Sequence, residues 1–136
     1  MGLEGRVALV TGAGGNGMGR SIALTLARDG ADIVVNYRKS REGADSVVSA
    51  IASVGRRAVA VAADVGDAAS VDAMFVAARD QLGHVDIVVN SAGGAWKPQD
   101  ITEIEPAHLR AVLSQEIEAT YFLLRAALPD MRTRGW

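Results

Sequence analysis

A doubly wound α/β fold built on a parallel sheet is predicted for this 136-residue chain by three observations. Four short valine-rich runs recur along it, segments with helical spacing of apolar residues separate them, and a glycine cluster follows the first run directly. Short apolar runs with little alternation suit strands buried on both faces, as in parallel sheets covered by helices.

The runs are "RVALVT" at 6–11, "DIVVNY" at 32–37, "RAVAVAA" at 57–63 and "VDIVVNSAG" at 85–93. Between the first two, Ile22, Ala23, Leu26 and Ala27 share one helical face, and Gly30 ends it. From Ser40 to Val54, Ala44, Val47, Val48, Ile51 and Ala52 recur at three- and four-residue steps, with Gly55 placed to terminate the helix. Val71, Met74, Phe75, Ala78 and Leu82 repeat the pattern before Gly83. Strand-helix alternation of this kind implies right-handed crossovers in a doubly wound sheet, and of the usual orders 3-2-1-4 is expected here. A long last helix follows. Thr102 and Glu105 have the spacing of a capping box, Pro106 suits the first turn, and Leu109, Val112, Leu113, Ile117, Tyr121 and Leu124 form a stripe that should run to near Pro129. That order leaves the fourth strand at a sheet edge and the stripe uncovered. Both features invite pairing, so a homo-oligomer is expected.

Composition narrows the function. With 49% hydrophobic and 22% charged residues a packed core is expected, and no linker, repeat or low-complexity segment divides residues 1–136, so they form one unit. A formal charge of −2 gives no basic footprint for nucleic acid. No cysteine is present, in keeping with a cytoplasmic protein, and no apolar run reaches the ~18 residues of a membrane span. His84 and His108 are the only histidines, and no metal site is expected from them.

In "VALVTGAGGNGMGRSIA", Gly12, Gly14 and Gly17 satisfy G-x-G-x-x-G between a strand and a helix. A helix start presents free N–H groups and partial positive charge, and glycines let backbone approach a pyrophosphate that side chains would block. A dinucleotide fold usually ends its second strand with an acid for a ribose 2′-hydroxyl, or places an arginine nearby for a 2′-phosphate. Here the strand runs into "NYRKS", with Arg38 and Lys39 and no carboxylate. NADP(H) is therefore favoured over NAD(H); the plainer alternative makes both cations a solvated helix start.

These residues bring a resemblance into view. "TGAGGNGMG" resembles the T-G-x-x-x-G-x-G loop of the short-chain dehydrogenase/reductase family, "ADV" at 63–65 its D-V adenine contact, and "NSAGG" at 90–94 its N-N-A-G segment. Within the family the chain is similar to 3-oxoacyl-[acyl-carrier-protein] reductase-like members. The resemblance covers nearly all of it, matching about the first half of a family domain, and implies a Rossmann-like NAD(P)-binding unit. By similarity Gly12, Gly15, Asn16, Gly17 and Met18 surround the pyrophosphate and adjoining ribose. Arg38 meets the 2′-phosphate, Asp64 and Val65 contact the adenine, and Asn90, Ala92 and Gly93 line the nicotinamide ribose. Asp64 and Asn90 also end predicted strands, where open α/β sheets bind ligands, although Asp64 could instead cap the next helix.

Two departures from the family stand out. Four residues separate Gly12 from Gly17 where three are usual, so the turn must bulge or a backbone contact must shift. "SQEIEATYF" puts Glu116 where the family has an active-site asparagine; it is read either as part of a proton path or as an acid wetted by a cleft. The resemblance also implies a serine and a Tyr-x-x-x-Lys pair as proton-donating machinery, which these residues lack: Tyr37 and Tyr121 have no lysine four residues on. Arg125 follows Tyr121 at that spacing and is read as helix packing. Trp96 and Lys97 either touch substrate or belong to an exposed loop. Three functions remain in play: the truncated cofactor-binding part of an NADP(H)-dependent oxidoreductase acting on a small carbonyl or alcohol, a non-catalytic nucleotide-binding module, and a self-associating module.

Overall fold

The computed structural model describes residues 2–93 and 97–135; Trp96 lies outside them. Strands β1 (Val7–Val10), β2 (Asp32–Tyr37), β3 (Ala58–Ala62) and β4 (Ile87–Val89) form one parallel sheet in the order β3-β2-β1-β4. Register is set by pairs such as Leu9 with Val34 and Val88, and Val35 with Ala60. Helices α1 (Met18–Arg28), α2 (Arg41–Ser53) and α3 (Ala68–Gln81) connect the strands as the apolar spacing predicts. Gly55 and Gly83 end the second and third with φ of 78° and 105°, a region costly to any residue with a Cβ.

Alternation along the strands divides the core into two layers. Ala8, Val10, Ile33 and Val35 meet Ala23, Ala27, Val47 and Ile51 of α1 and α2. Val7, Leu9 and Val34 face Val71, Met74 and Ala78 of α3, with Leu123 and Ala127 of the last helix. Each large side chain buried in this way contributes about 1.5–3 kcal/mol. The two central strands are buried along their whole length, whereas β3 and β4 are mostly half-buried. Low alternation predicts burial on both faces for all four strands; β3 and β4 differ because they are the edges of the described sheet.

The last helical stretch departs most from expectation. Asp100, rather than Thr102, starts a short 3₁₀ turn over Ile101–Glu103, its carboxylate accepting from the Thr102 N–H at 2.9 Å and the Thr102 hydroxyl at 2.6 Å. Glu105 is then the N-cap of α4 (Pro106–Leu113), with no side-chain cap bond, so there is no capping box; Pro106 does occupy the first turn. A π turn, Ser114–Glu118, separates α4 from α5 (Ala119–Arg134), which runs through Pro129 instead of stopping near it. The inward face is Ala119, Leu123 and Ala127, packed on α3. The stripe of Leu109, Leu113, Ile117, Tyr121 and Leu124 is exposed, as the uncovered face expected from the sequence. No helix among the described residues is long and apolar enough to cross a membrane.

Candidate functional site

All four strands point their carboxyl ends at one groove, with two adjoining cavities of about 290 and 390 Å³. Ser91, Ala92 and Gly93, leaving β4, line both and so join them. The first runs from the glycine loop past Tyr37, Arg38 and Lys39 to Val65 and Gln115. The second is bounded by Met18, Ile22, Asn90 and Glu116.

Neutral polar side chains fix the groove's floor. The buried Thr11 hydroxyl, just past β1, donates to Asn90 Oδ1 at 2.8 Å and accepts the N–H groups of Ser91 and Ala92, each at 2.9 Å. Asn90 in turn donates through Nδ2 to Thr120 Oγ1 on α5 at 2.9 Å, and Thr120 donates to the Glu116 carbonyl at 3.2 Å. On the other side Asn36 is 2% exposed. Its Oδ1 accepts from Gly12 N at 3.2 Å and its Nδ2 donates to the Ala63 carbonyl at 3.2 Å. The residue near the end of β2 thus ties three strand ends together and presents no acid to the groove.

The glycine loop is shaped by close approach. Gly12 has φ of 63°, and a Cβ there would lie 2.9 Å from Ala92 Cα. A Cβ on Gly19 would meet the Gly12 carbonyl oxygen at 2.9 Å, so this glycine, the last of the loop motif, lets α1 pack under the loop. Gly14 is turned toward α2, where a Cβ would come 2.8 Å from Tyr37 Cβ and 2.9 Å from the Ser40 carbonyl oxygen. The loop packs closely on α2 here, where Gly43 leaves room for the Gly14 carbonyl. Among the described residues, Gly15 and Gly17 face open space. Gly17 precedes α1, whose first turn carries no acid to neutralise its partial positive charge.

The sequence-selected residues gather at this groove. Gly12, Gly15, Arg38 and Val65 line the first cavity, Met18 and Asn90 the second, and Ala92 and Gly93 both. Asn16 and Gly17 sit on the exposed loop between them and line neither. Asp64 reaches the site through neighbours: its carboxylate accepts from Gly66 N at 2.9 Å and from Gln115 Nε2 at 3.3 Å. It does not cap α3, because Asp67 does, accepting from Ser70 N at 3.0 Å. Arg38 is not merely solvated; it donates to Gln115 Oε1 at 3.2 Å and stands 4.0 Å from the Asp64 carboxylate. Gln115 was not anticipated, since its partners lie 77 and 51 residues away and no periodicity reports them. Glu116 lies beside the Asn90–Gly93 segment, its Oε1 2.8 Å from where a Gly93 Cβ would stand. Lys97 is exposed.

Other titratable groups lie elsewhere. His84 Nδ1 pairs with Asp130 at 3.0 Å, and Arg79 reaches the same carboxylate at 2.6 Å; these contacts hold the Asp130 pKa below its usual value. Arg125 pairs with Asp72 of α3 at 2.9 Å and lies over the Phe122 ring. No group of three or more His, Asp or Glu among the described residues could hold a metal ion.

Comparison with known proteins agrees with this geometry. The family model described as short chain dehydrogenase matches residues 6–136. An uncharacterized oxidoreductase of Methylorubrum extorquens is 42% identical over 98% of this chain and 53% of its own length. A hydroxynaphthalene reductase-like protein of Metarhizium guizhouense is 40% identical over 98% of this chain and 49% of its own. The crystal structure of a short chain dehydrogenase from Burkholderia cenocepacia in complex with NADP superposes with a TM-score of 0.88 and 36% identity, covering 93% of this chain and 51% of that one. The chain spans about half the length of these relatives.

Proposed function

The chain belongs to the short chain dehydrogenase family, and from that premise we propose that its 136 residues are the cofactor-binding part of an NADP(H)-dependent oxidoreductase whose substrate is a small carbonyl compound or alcohol. The observation that carries the cofactor preference is the pairing of Asn36 and Arg38. Asn36 is buried and engaged with backbone, so no carboxylate awaits a ribose 2′-hydroxyl, while the half-exposed Arg38 guanidinium lines the cavity just beyond. The relative solved with NADP supports the same choice.

The residues present fit a dinucleotide. Gly15 and Gly17 leave open the space a side chain would fill, and the acid-free start of α1 offers N–H groups and partial positive charge to a pyrophosphate. Asp64 and Val65 border the adenine end, and Asn90, Ala92 and Gly93 the nicotinamide end. When bound, the nicotinamide supplies or accepts a hydride. The chain's own part is to orient it: the Thr11–Asn90–Thr120 bonds hold the floor of the second cavity fixed. Neither Tyr37 nor Tyr121 is followed by the lysine that the family pairs with a proton-donating tyrosine, so these residues are assigned binding and not catalysis. A cytoplasmic location goes with this reading.

Calorimetric titration with NADPH and NADH tests it. Tighter binding of NADPH, with the preference abolished by Arg38→Ala, is expected; equal affinity, or binding of neither, would overturn it.

A second reading has its own observation. Ile117 is 64% and Tyr121 61% exposed, in line with Leu109, Leu113, Leu124 and Leu128. We infer that this face pairs with a second copy of the chain. Sedimentation at micromolar concentration should give a dimer that Ile117→Glu dissociates; a wild-type monomer would refute it.

A further inference from the structure

The π turn brings one side chain between two opposite charges. Gln115 Oε1 accepts from Arg38 Nη1 at 3.2 Å, and Gln115 Nε2 donates to Asp64 Oδ1 at 3.3 Å. The segment is fixed against the β3–α3 loop by Ser114 Oγ, which donates to the Gly66 carbonyl at 3.4 Å. Gly66 suits this approach, since a Cβ there would come 3.1 Å from Gln115 Nε2 and 3.2 Å from Ser114 Oγ. An extra residue in a helix re-aims its neighbours, and π turns recur where a side chain must be presented.

Without an intervening group, a guanidinium beside a carboxylate closes into a two-bond pair that occupies its planar fork. Here the nearest approach is 4.0 Å, with both side chains about half exposed, so the direct attraction is weak. The amide satisfies each partner on its own terms: its oxygen can only accept from the cation, and its NH₂ can only donate to the anion. Glutamate would lose the donor and add a charge, and methionine would lose both bonds while keeping much of the length.

We propose that Gln115 is a specificity-determining residue: by bridging Arg38 and Asp64 it keeps the guanidinium from closing onto the carboxylate, and so keeps it open to a phosphate on the ribose 2′ position. This rests on the dinucleotide reading above. The preference for a 2′-phosphate thus depends on a residue some 77 positions from the arginine that meets it.

The test titrates the 136-residue chain calorimetrically with adenosine 2′,5′-bisphosphate and adenosine 5′-monophosphate, in the wild type and in Gln115→Met, Gln115→Glu and Arg38→Ala. The wild type should prefer the bisphosphate by about tenfold or more, the scale of one charge-assisted hydrogen bond. Gln115→Met should lower that ratio several-fold, bisphosphate affinity falling by more than monophosphate affinity, and Gln115→Glu should lower it further by capturing Arg38. If Arg38→Ala abolishes the preference while both Gln115 variants keep it, the proposal fails and the dinucleotide reading stands. Equal loss of both ligands in the Gln115 variants would show a merely structural role and overturn the proposal. No binding of either ligand by the wild type would overturn the reading and the proposal together. Should the methionine variant fail to fold by circular dichroism, the glutamate variant decides on the same ratio.

Discussion

At the amino ends of the strands the molecule buries charge, and at the carboxyl ends it buries neutral amides and hydroxyls. Asp32, 3% exposed, is gripped by Arg56 at 2.7 Å and Arg57 at 2.6 Å and accepts the Arg57 N–H at 3.0 Å. Asp86, 5% exposed, accepts from Val7 N at 3.0 Å and pairs with Arg134 at 2.8 Å and Arg6 at 3.4 Å. Across the sheet, Thr11, Asn36 and Asn90 tie the loops without a formal charge, and the opposite charges nearby, Arg38 and Asp64, are kept 4.0 Å apart. The difference follows from what each end must leave free. A closed end can saturate its charges internally, whereas an end that receives phosphates, as proposed above for this one, gains from rigid neutral supports and an unsaturated cation.

Breaking the closed end should cost the most. Asp32→Ala leaves two arginines and a backbone N–H without their acceptor and should lower stability by about 2–4 kcal/mol in urea denaturation. NADPH affinity of the folded fraction should be unchanged. Thr11→Val strikes the open end: loss of the bonds to Asn90, Ser91 and Ala92 should cost about 1–3 kcal/mol, and here NADPH affinity should fall as well. A Thr11→Val variant that binds normally would erase the distinction between the two ends.

Arg38→Ala should leave the urea midpoint in place, because the side chain is half exposed, while weakening NADPH binding about tenfold and sparing NADH. The smallest effect expected is on pH dependence. Burial raises the Asp32 pKa, but the Arg57 N–H and side-chain bonds, with the charges of Arg56 and Arg57, outweigh it and hold the value below the usual one. A folded-state pKa below the unfolded ~3.9 stabilises fully above that pH, and the gain is lost as pH falls through the folded value. Acid unfolding of the wild type should therefore steepen below about pH 4, and Asp32→Asn should flatten that limb.

How much of this was legible in the sequence depended on the range of the interaction. Val7–Val10 and Asp32–Tyr37 read as buried strands because every position is apolar or is tied at a strand end. Helices α1 to α3 read well because spacing and terminal glycines are local signals. The capping box failed where Asp100, two residues before Thr102, captured the same hydroxyl and N–H. The π turn left no trace in the apolar stripe, which continues smoothly from Leu113 to Ile117. The glycine loop announced its extra residue but not its packing on α2, where Gly43 meets the Gly14 carbonyl. Asn36 was legible only as a missing acid; its bonds to Gly12 and Ala63 join segments that the sequence keeps apart.

The most direct measurement is amide-resolved NMR of the chain titrated with NADP⁺. Shift changes should concentrate at Gly12–Met18, Arg38, Asp64–Gly66, Asn90–Gly93 and Gln115, with Val7, Asp32, Arg57 and Asp86 unmoved. Changes centred on the Asp32 and Asp86 end, or none at saturating ligand, would contradict the dinucleotide reading.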